Sequence, residues 1–284
     1  MSLIDPMDRV LHPVRHPRPG VWSDQGPRPR QQDAAAVAVA GLDRRVGALM
    51  TYGHRGAALM DGFGGHPAVE EVTQRAARRA AEAAAARGAL AGLAAAAEVV
   101  RAAEGEDDDG PDCVGAVVAV EQRQAAWTGD VRVYTWRRAD HTLTLHTADH
   151  TEGAAIRARL ADGTAAGEQL GDPAEYDHVI TTSIGCHTAP ETPETDPRPS
   201  QDRAGWVMLP GDCDAIILTC DGVHDALTHE DMWGTVLTCE KYGAEAVARA
   251  LVEDARAADA ARDPEHRVDD NATCVVIPIG PIGA

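Results

Sequence analysis

The sequence predicts an α+β layered domain rather than a regularly wound βαβ sheet. Apolar runs of strand length come in groups, at residues 34–40, 46–60, 114–120, 125–128, 131–136, 143–145, 215–220 and 273–279. Long Ala-rich stretches with interspersed Glu and Arg separate these groups, instead of alternating with single strands. The 284 residues, 44% of them hydrophobic, are enough to enclose one large core.

Residues 1–20 are rich in Pro, His and Arg and lack the apolar segment of a secretory signal, so they read as a flexible N-terminal arm. Residues 22–33 are polar, with Pro27 and Pro29. The run 34–40 is β-compatible, residues 41–45 signal a turn, and 46–60 holds a second apolar run ending Ala57-Ala58-Leu59-Met60. Asp61-Gly62-Phe63-Gly64-Gly65-His66 is expected to break that strand, and Pro67 suits the first turn of a helix, where its missing N–H costs nothing. Helix-forming residues then fill 68–87, Gly88 interrupts, and helix propensity resumes over 90–103, giving one long helix or two.

Residues 104–112 form an acidic stretch. It fails the calcium-loop spacing, because Ala116 stands where the EF-hand glutamate belongs when counted from Gly110, and it reads as a solvated loop. Strands follow at 114–120, 125–128 and 131–136, with a break at Gly129-Asp130. Leu143 and Leu145 alternate with Thr142, Thr144 and His146, as in a half-buried strand. Residues 152–160 are weakly helical, and 188–205, rich in Pro, Thr and Asp, read as an exposed loop. The apolar strand 215–220 ends in Asp221-Gly222; a helix capped by Thr228 covers 228–237, another covers 245–260, and a strand covers 273–279. No internal repeat or later boundary is visible, so residues 21–284 are expected to form a single domain behind the arm.

The formal charge of −19 opposes binding to nucleic acid and to anionic membrane surfaces, and it is compatible with binding divalent cations. No apolar stretch approaches the roughly 20 residues that span a bilayer, so membrane insertion is not expected and a cytoplasmic location is. The six cysteines contain no C-x-x-C pair, which argues against a zinc knuckle or redox motif and for free, buried thiols in a reducing compartment. The chain has a single Phe, Phe63, and a single Lys, Lys241.

Asp61 and Asp221 each follow an apolar run and precede Gly, and Asp270 stands with Asn271 just before the last strand. An aspartate held at a strand end by its sheet can turn its carboxylate into a cleft, and the adjoining glycines, Gly62 and Gly222, let ligands approach closely. Converging carboxylates repel one another unless a cation lies among them, and Mg²⁺ and Mn²⁺ prefer such oxygen ligands. Two such ions, roughly 3.5–4 Å apart, can activate water for in-line displacement at phosphorus. Any one Asp-Gly is more often a turn; the weight rests on the set and its order.

That ordered set resembles the PPM, or type 2C, family of metal-dependent Ser/Thr protein phosphatases, its bacterial signalling members above all. The resembling segments are Arg28 to Asp33, Asp61 to His66, Gly129-Asp130-Val131-Arg132, Asp149-His150-Thr151, Thr219 to Asp225 and Asp269 to Thr273. The resemblance implies a central β-sandwich flanked by helices in four layers, α-β-β-α, with two or three divalent cations, Mn²⁺ or Mg²⁺, at one end. It implies that Asp61 bridges two cations, that Gly62 offers its backbone carbonyl, and that Asp221 and Asp270 complete the first ion's shell. Arg28, five residues before Asp33, matches the phosphate-binding arginine, for which the forked guanidinium is suited. Asp130 matches the ligand of a third, weaker ion. The partner implied is a phosphorylated protein, the target of a Ser/Thr kinase.

The chain departs from the family in several places. Gln32 replaces the usual Glu, which weakens the second cation site by one charge unless Asp33 compensates. Asp112-Cys113-Val114 replaces a Gly-Thr-Thr segment, and Val131 replaces a serine. Phe63 stands where some animal members carry a histidine general acid, so no acid is assigned; His66 is expected to cap the following helix, and His224 lies beside Asp221. No cysteine is followed five residues later by Arg in a glycine-rich loop, so a Cys-based phosphatase is excluded. The expected chemistry is attack on a phosphomonoester by a metal-bridging hydroxide. The alternatives are a phosphatase for a small phosphorylated metabolite, a pseudophosphatase that binds phosphoproteins without turnover, and a structural or calcium-binding module.

Overall fold

The computed structural model describes residues 18–40, 44–46, 49–51, 54–103, 110–164, 171–185 and 204–279, with only the backbone described at 44–46 and 49–51. Most of the expected arm (1–17), the acidic stretch 104–109, most of the loop 188–205 and Cys186 lie outside these residues.

Among the described residues, twelve strands and six α-helices follow one another as β1 (Gly20–Asp24), β2 (Ala34–Ala40), β3 (Arg44–Val46), β4 (Leu49–Thr51), β5 (His54–Phe63), α1 (Val69–Arg87), α2 (Ala89–Arg101), β6 (Asp112–Ala119), β7 (Gln124–Thr128), β8 (Arg132–Arg137), β9 (Thr142–Leu145), α3 (Glu152–Ala161), β10 (Gly205–Met208), β11 (Ala215–Thr219), α4 (Asp221–His224), α5 (His229–Cys239), α6 (Ala244–Ala260) and β12 (Ala272–Pro278). One antiparallel sheet has the order β1-β12-β11-β8-β9 and the other β10-β7-β6-β5-β2, while β3 and β4 form a two-stranded sheet. β5-β6-β7, β8-β9 and β11-β12 pair as neighbours in sequence, whereas β1 pairs with β12 and β8 with β11 across long stretches of chain.

The two sheets face each other. The outer face of the β2-β5-β6-β7 side carries α1 and α2, and α6, backed by α5, lies on β1 and β12. This is a four-layer α-β-β-α arrangement. Its register is legible on β5, where Ala57 and Leu59 point into the core between the sheets and Ala58 and Met60 point towards the helices. Both faces of β5 and β6 are buried, so these strands read as continuous apolar runs and not as alternating ones. The small alanines of α1, among them Ala76, Ala77, Ala80 and Ala84, are buried against that sheet, which is how a chain with one Phe fills its interior. Thr228 caps α5 as expected: its hydroxyl accepts the Asp231 N–H while the Asp231 carboxylate accepts the Thr228 N–H, a reciprocal capping box.

Several expectations are corrected. Residues 61–66 do not break the strand at Asp61; β5 continues to Phe63 because Asp61, Gly62 and Phe63 pair with Val114, Cys113 and Asp112 of β6. Gly62 is needed there for close approach, not for a turn: an added Cβ would lie 2.6 Å from Thr73 Oγ1 and 2.8 Å from the Gln32 carbonyl oxygen. Pro67 precedes α1, whose N-cap is Ala68. Gly20, the last residue of the expected arm, opens β1, which runs into the polar stretch 22–33 and pairs with β12 from Gly20↔Val276 to Asp24↔Ala272. Asp112 and Gly205, placed in loops by composition, open β6 and β10. Strand partners supply what these polar segments lack in propensity.

Candidate active site

Elements from both sheets meet at one end of the sandwich and line a cleft of about 370 Å³. Arg28 and Gln32 enter from the segment before β2, and Asp61, Gly62 and Phe63 from the end of β5, with Gly64 just beyond it. Asp130 comes from the turn between β7 and β8, Asp221 from the first residue of α4 and Asp270 from the approach to β12. Val114, His178 and Ile180 complete the lining. Residues separated by more than 200 positions in sequence thus share one wall.

Local hydrogen bonds orient the carboxylates. The Gly222 N–H donates to Asp221 Oδ1 at 2.6 Å and the Asn271 N–H donates to Asp270 Oδ1 at 2.7 Å. An added Cβ at Gly222 would sit 1.9 Å from the Asn271 carbonyl oxygen, so the α4 turn and the β12 approach touch backbone to backbone. Arg28 donates from Nε to the Asp269 carbonyl at 3.0 Å and from Nη2 to Asp270 Oδ2 at 2.5 Å. The Asp269 carbonyl is turned towards it by a left-handed backbone, φ 47°. Asn271, buried, binds the segment before β2 through three hydrogen bonds, to the Gln32 N–H and to the carbonyls of Gln25 and Arg30.

Asp33 is not on the cleft surface. It is buried behind Asp61, and the Cys220 thiol donates to its Oδ2 at 3.2 Å. Cys220 also receives the Thr273 N–H at 3.0 Å. Burial, followed by the Asp33 charge, pushes the Cys220 thiol well up, so it remains a donor and not a thiolate. His66 accepts the Ala68 N–H on Nδ1 at 3.2 Å, just before α1 begins. His224 is buried and bonded through Nδ1 to Thr219 Oγ1 at 2.9 Å; burial, then Arg132, holds its imidazole well below the usual range. Gln32 lines the cleft and donates its amide to the Gly64 carbonyl at 3.0 Å.

The acidic side chains resist ionisation. Burial, then the charge of Asp221 and next of Asp33, drives the Asp61 carboxyl well above its ordinary value. Burial, with Asp130 and Asp270 adding, does the same to Asp221. Burial raises Asp33 to about 6, and burial with Asp149 raises Asp130 to about 7. Clustered buried carboxylates cannot all carry charge without a compensating cation. Asp33, Asp61 and Cys220 each offer a ligand atom within 4.8 Å of the others. With the thiol protonated, the available donors are carboxylate oxygens and backbone carbonyls, the set that Mg²⁺ and Mn²⁺ take. The residues present therefore fit hard divalent cations.

Sequence reasoning located Arg28, Gln32, Asp61, Gly62, Asp130, Asp221 and Asp270, which the fold brings together. It did not find Cys220 as a neighbour of Asp33, although adjacency to Asp221 was a usable signal. Nor did it find the rim residues His178 and Ile180, whose surroundings in sequence carry no motif, or assign Val114, noted as a departure from the family, to the cleft. Cys113, Cys213, Cys220, Cys239 and Cys274 are free thiols, and among the described residues no helix is long and apolar enough to cross a membrane.

The layered sandwich with its acidic end is the fold of the PPM Ser/Thr phosphatases. No family model and no curated relative matches the sequence; the likeness lies in three dimensions. The PPM Ser-Thr phosphatase MsPP of Mycobacterium smegmatis superposes with a TM-score of 0.64 at 20% identity, over 93% of this chain and 98% of that one. The serine/threonine phosphatase Stp1 of Staphylococcus aureus does so with 0.63 at 16% identity, over 94% and 96%. A sex-determining protein of C. elegans matches with 0.60 at 18% identity, over 94% of this chain and 66% of its own.

Proposed function

We propose that the protein is a divalent-metal-dependent phosphomonoesterase that dephosphorylates phosphoserine or phosphothreonine in proteins modified by a Ser/Thr kinase. One observation carries the reading: Asp61, Asp130, Asp221 and Asp270 converge with Arg28 in a single cleft at the end of the sandwich. Asp61, Asp221 and Asp270 would hold the cations, with the Gly62 carbonyl, Asp130 for a further ion and Asp33 in support from behind. Bound Mn²⁺ or Mg²⁺ supplies Lewis acidity, neutralising these carboxylates, lowering the pKa of water and polarising the phosphoryl group. Arg28 binds the phosphate with its fork and is already drawn to anionic oxygen at Asp270. Asn271 holds its loop, and Phe63, Val114 and Ile180 line the cleft with apolar groups that limit water. The free thiols support a reducing, cytoplasmic setting.

Turnover of p-nitrophenyl phosphate and of a phosphothreonine peptide tests this, with Mn²⁺ or Mg²⁺, after EDTA, and in Asp221→Ala. Expected is activity in the wild type with metal and its loss in the other two. Activity indifferent to both treatments would sink the reading. Gln32 in the cleft favours a second reading, a phosphoprotein-binding pseudophosphatase, since an amide stands where a carboxylate would strengthen cation binding. Calorimetric titration separates the two: the enzyme takes up at least two ions, the pseudophosphatase one weakly or none.

A further inference from the structure

Hydrolysis of a serine or threonine phosphate expels an alkoxide, a poor leaving group that requires a proton as its P–O bond breaks. Phe63, on the lip of the cleft, has none to give. The other histidines near the cleft are turned to structural tasks. His66 caps the approach to α1, His224 is buried on Thr219, and His150 is buried, bonded through Nδ1 to Thr182 Oγ1 at 3.0 Å and stacked on Trp127. Among the described histidines, His178 alone lines the cleft, and its side of the cleft is also lined by Ile180.

Its chain is held on both flanks. Asp177, just before it, is ion-paired with Arg157 of α3. Just after it, the Val179 carbonyl accepts the Glu152 N–H at 2.8 Å, and Ile180 pairs with Thr151 in an antiparallel bridge. Asp149 and His150 anchor that same corner: Asp149 takes a forked pair of bonds from Arg132, and the His150 N–H and carbonyl bond Gly129 and Thr181. An exposed side chain on a segment held in this way is presented to the cleft by its backbone. An imidazole is also a side chain able to hand a proton to a departing oxygen within hydrogen-bond reach.

We propose that His178 is the general acid that protonates the departing serine or threonine oxygen, a role that rests on the phosphatase reading above. The oxygen of water forms the new bond to phosphorus while the bond from phosphorus to the side-chain oxygen breaks. That oxygen takes the imidazolium proton of His178 and leaves as the alcohol. The attacking water's proton passes to solvent, and solvent reprotonates the imidazole.

The test compares leaving groups in the metal-loaded wild type, His178→Ala and His178→Gln. p-Nitrophenolate departs without a proton, whereas a phosphothreonine peptide needs one. Loss of the acid should lower kcat for the peptide by about a hundredfold and leave p-nitrophenyl phosphate within a fewfold of the wild type. Across a series of aryl phosphates the rates of the variants should fall more steeply with leaving-group basicity. Equal loss on both substrates, or no loss on the peptide, would overturn the role. A wild type inactive on both substrates with Mn²⁺ would instead overturn the phosphatase reading, and the acid with it. His178 is exposed, so both variants should fold, and unchanged melting temperatures verify this.

Discussion

Asn271 Oδ1 accepts the backbone N–H of Gln32 at 2.7 Å, across 239 residues of sequence. With its amide nitrogen donating to Gln25 and Arg30, this buried side chain is the fastening of the segment that carries Arg28 and Gln32 into the cleft. It sits directly after Asp270, so the arginine loop and an acidic wall of the cleft share one anchor.

Replacing Asn271 by Ala leaves a half-buried N–H and two carbonyls without their partner. We expect a loss of about 2–3 kcal/mol of stability, measured by urea unfolding. We also expect weaker inhibition by inorganic phosphate, because Arg28 is no longer held. An Asn271→Ala protein with unchanged phosphate inhibition would show that the loop keeps its place without this fastening.

Gly222→Ala drives a methyl group into the Asn271 carbonyl, backbone against backbone, with no flexible side chain to yield. A loss of about 1–3 kcal/mol or more is expected, together with weakened Mn²⁺ uptake, as Asp221 is displaced. Gly65→Ala is the control: an added Cβ there meets nothing within 4 Å, and its melting temperature should be nearly unchanged.

Asp61 is crowded by other carboxylates, with Asp221, Asp33, Asp130 and Asp270 all raising its pKa after burial. Asp61→Asn removes that repulsion at nearly constant shape. The metal-free protein should melt a few degrees higher than the wild type, by roughly 2–4 °C for each 1 kcal/mol gained. Calorimetry should show that it has lost Mn²⁺ binding and assays that it has lost turnover. A lower melting temperature would mean that the carboxylate serves as a structural acceptor.

The pH dependence of the metal-free protein follows from the same groups. Folding raises the pKa of Asp33 and of Asp130 from 3.8 to about 6 and about 7, mainly through burial. The folded state therefore binds protons more tightly than the unfolded one between those values. Their contribution to stability is complete below about pH 4 and is lost as pH rises through 6 to 7. After EDTA treatment, melting temperature should fall across that window, and added Mn²⁺ should restore it most at the alkaline end. A metal-free protein that gains stability over the same range would contradict the burial of these carboxyls.

The legible part of the site was its acids. Asp61, Asp130, Asp221 and Asp270 each sit beside a glycine or an apolar run, so chemistry and position coincide in the sequence. The strands β5, β6 and β11 were legible for a related reason: they are buried on both faces and leave continuous apolar runs. Strand β1 was not, since Trp22, Ser23 and Asp24 are extended because β12 pairs with them, and no local propensity announces that. The same holds for His178, which reaches the cleft because Arg157, Thr151 and Glu152 hold its neighbours. Positions created by distant partners leave little trace in local sequence.

Strand β12 lies between β1 and β11, and among the described residues it is the strand that β1 pairs with. On the ribosome, the segment bearing Arg28 emerges early, yet its bonds to Asp269, Asp270 and Asn271 form only once residues 270–278 have been synthesised and threaded between two waiting strands. Pairing at such separation makes for slow closure. A nascent chain that already holds Asp61, Asp130 and Asp221 therefore still lacks Asp270 and the Asn271 fastening, and the cleft is completed only with the insertion of a single strand.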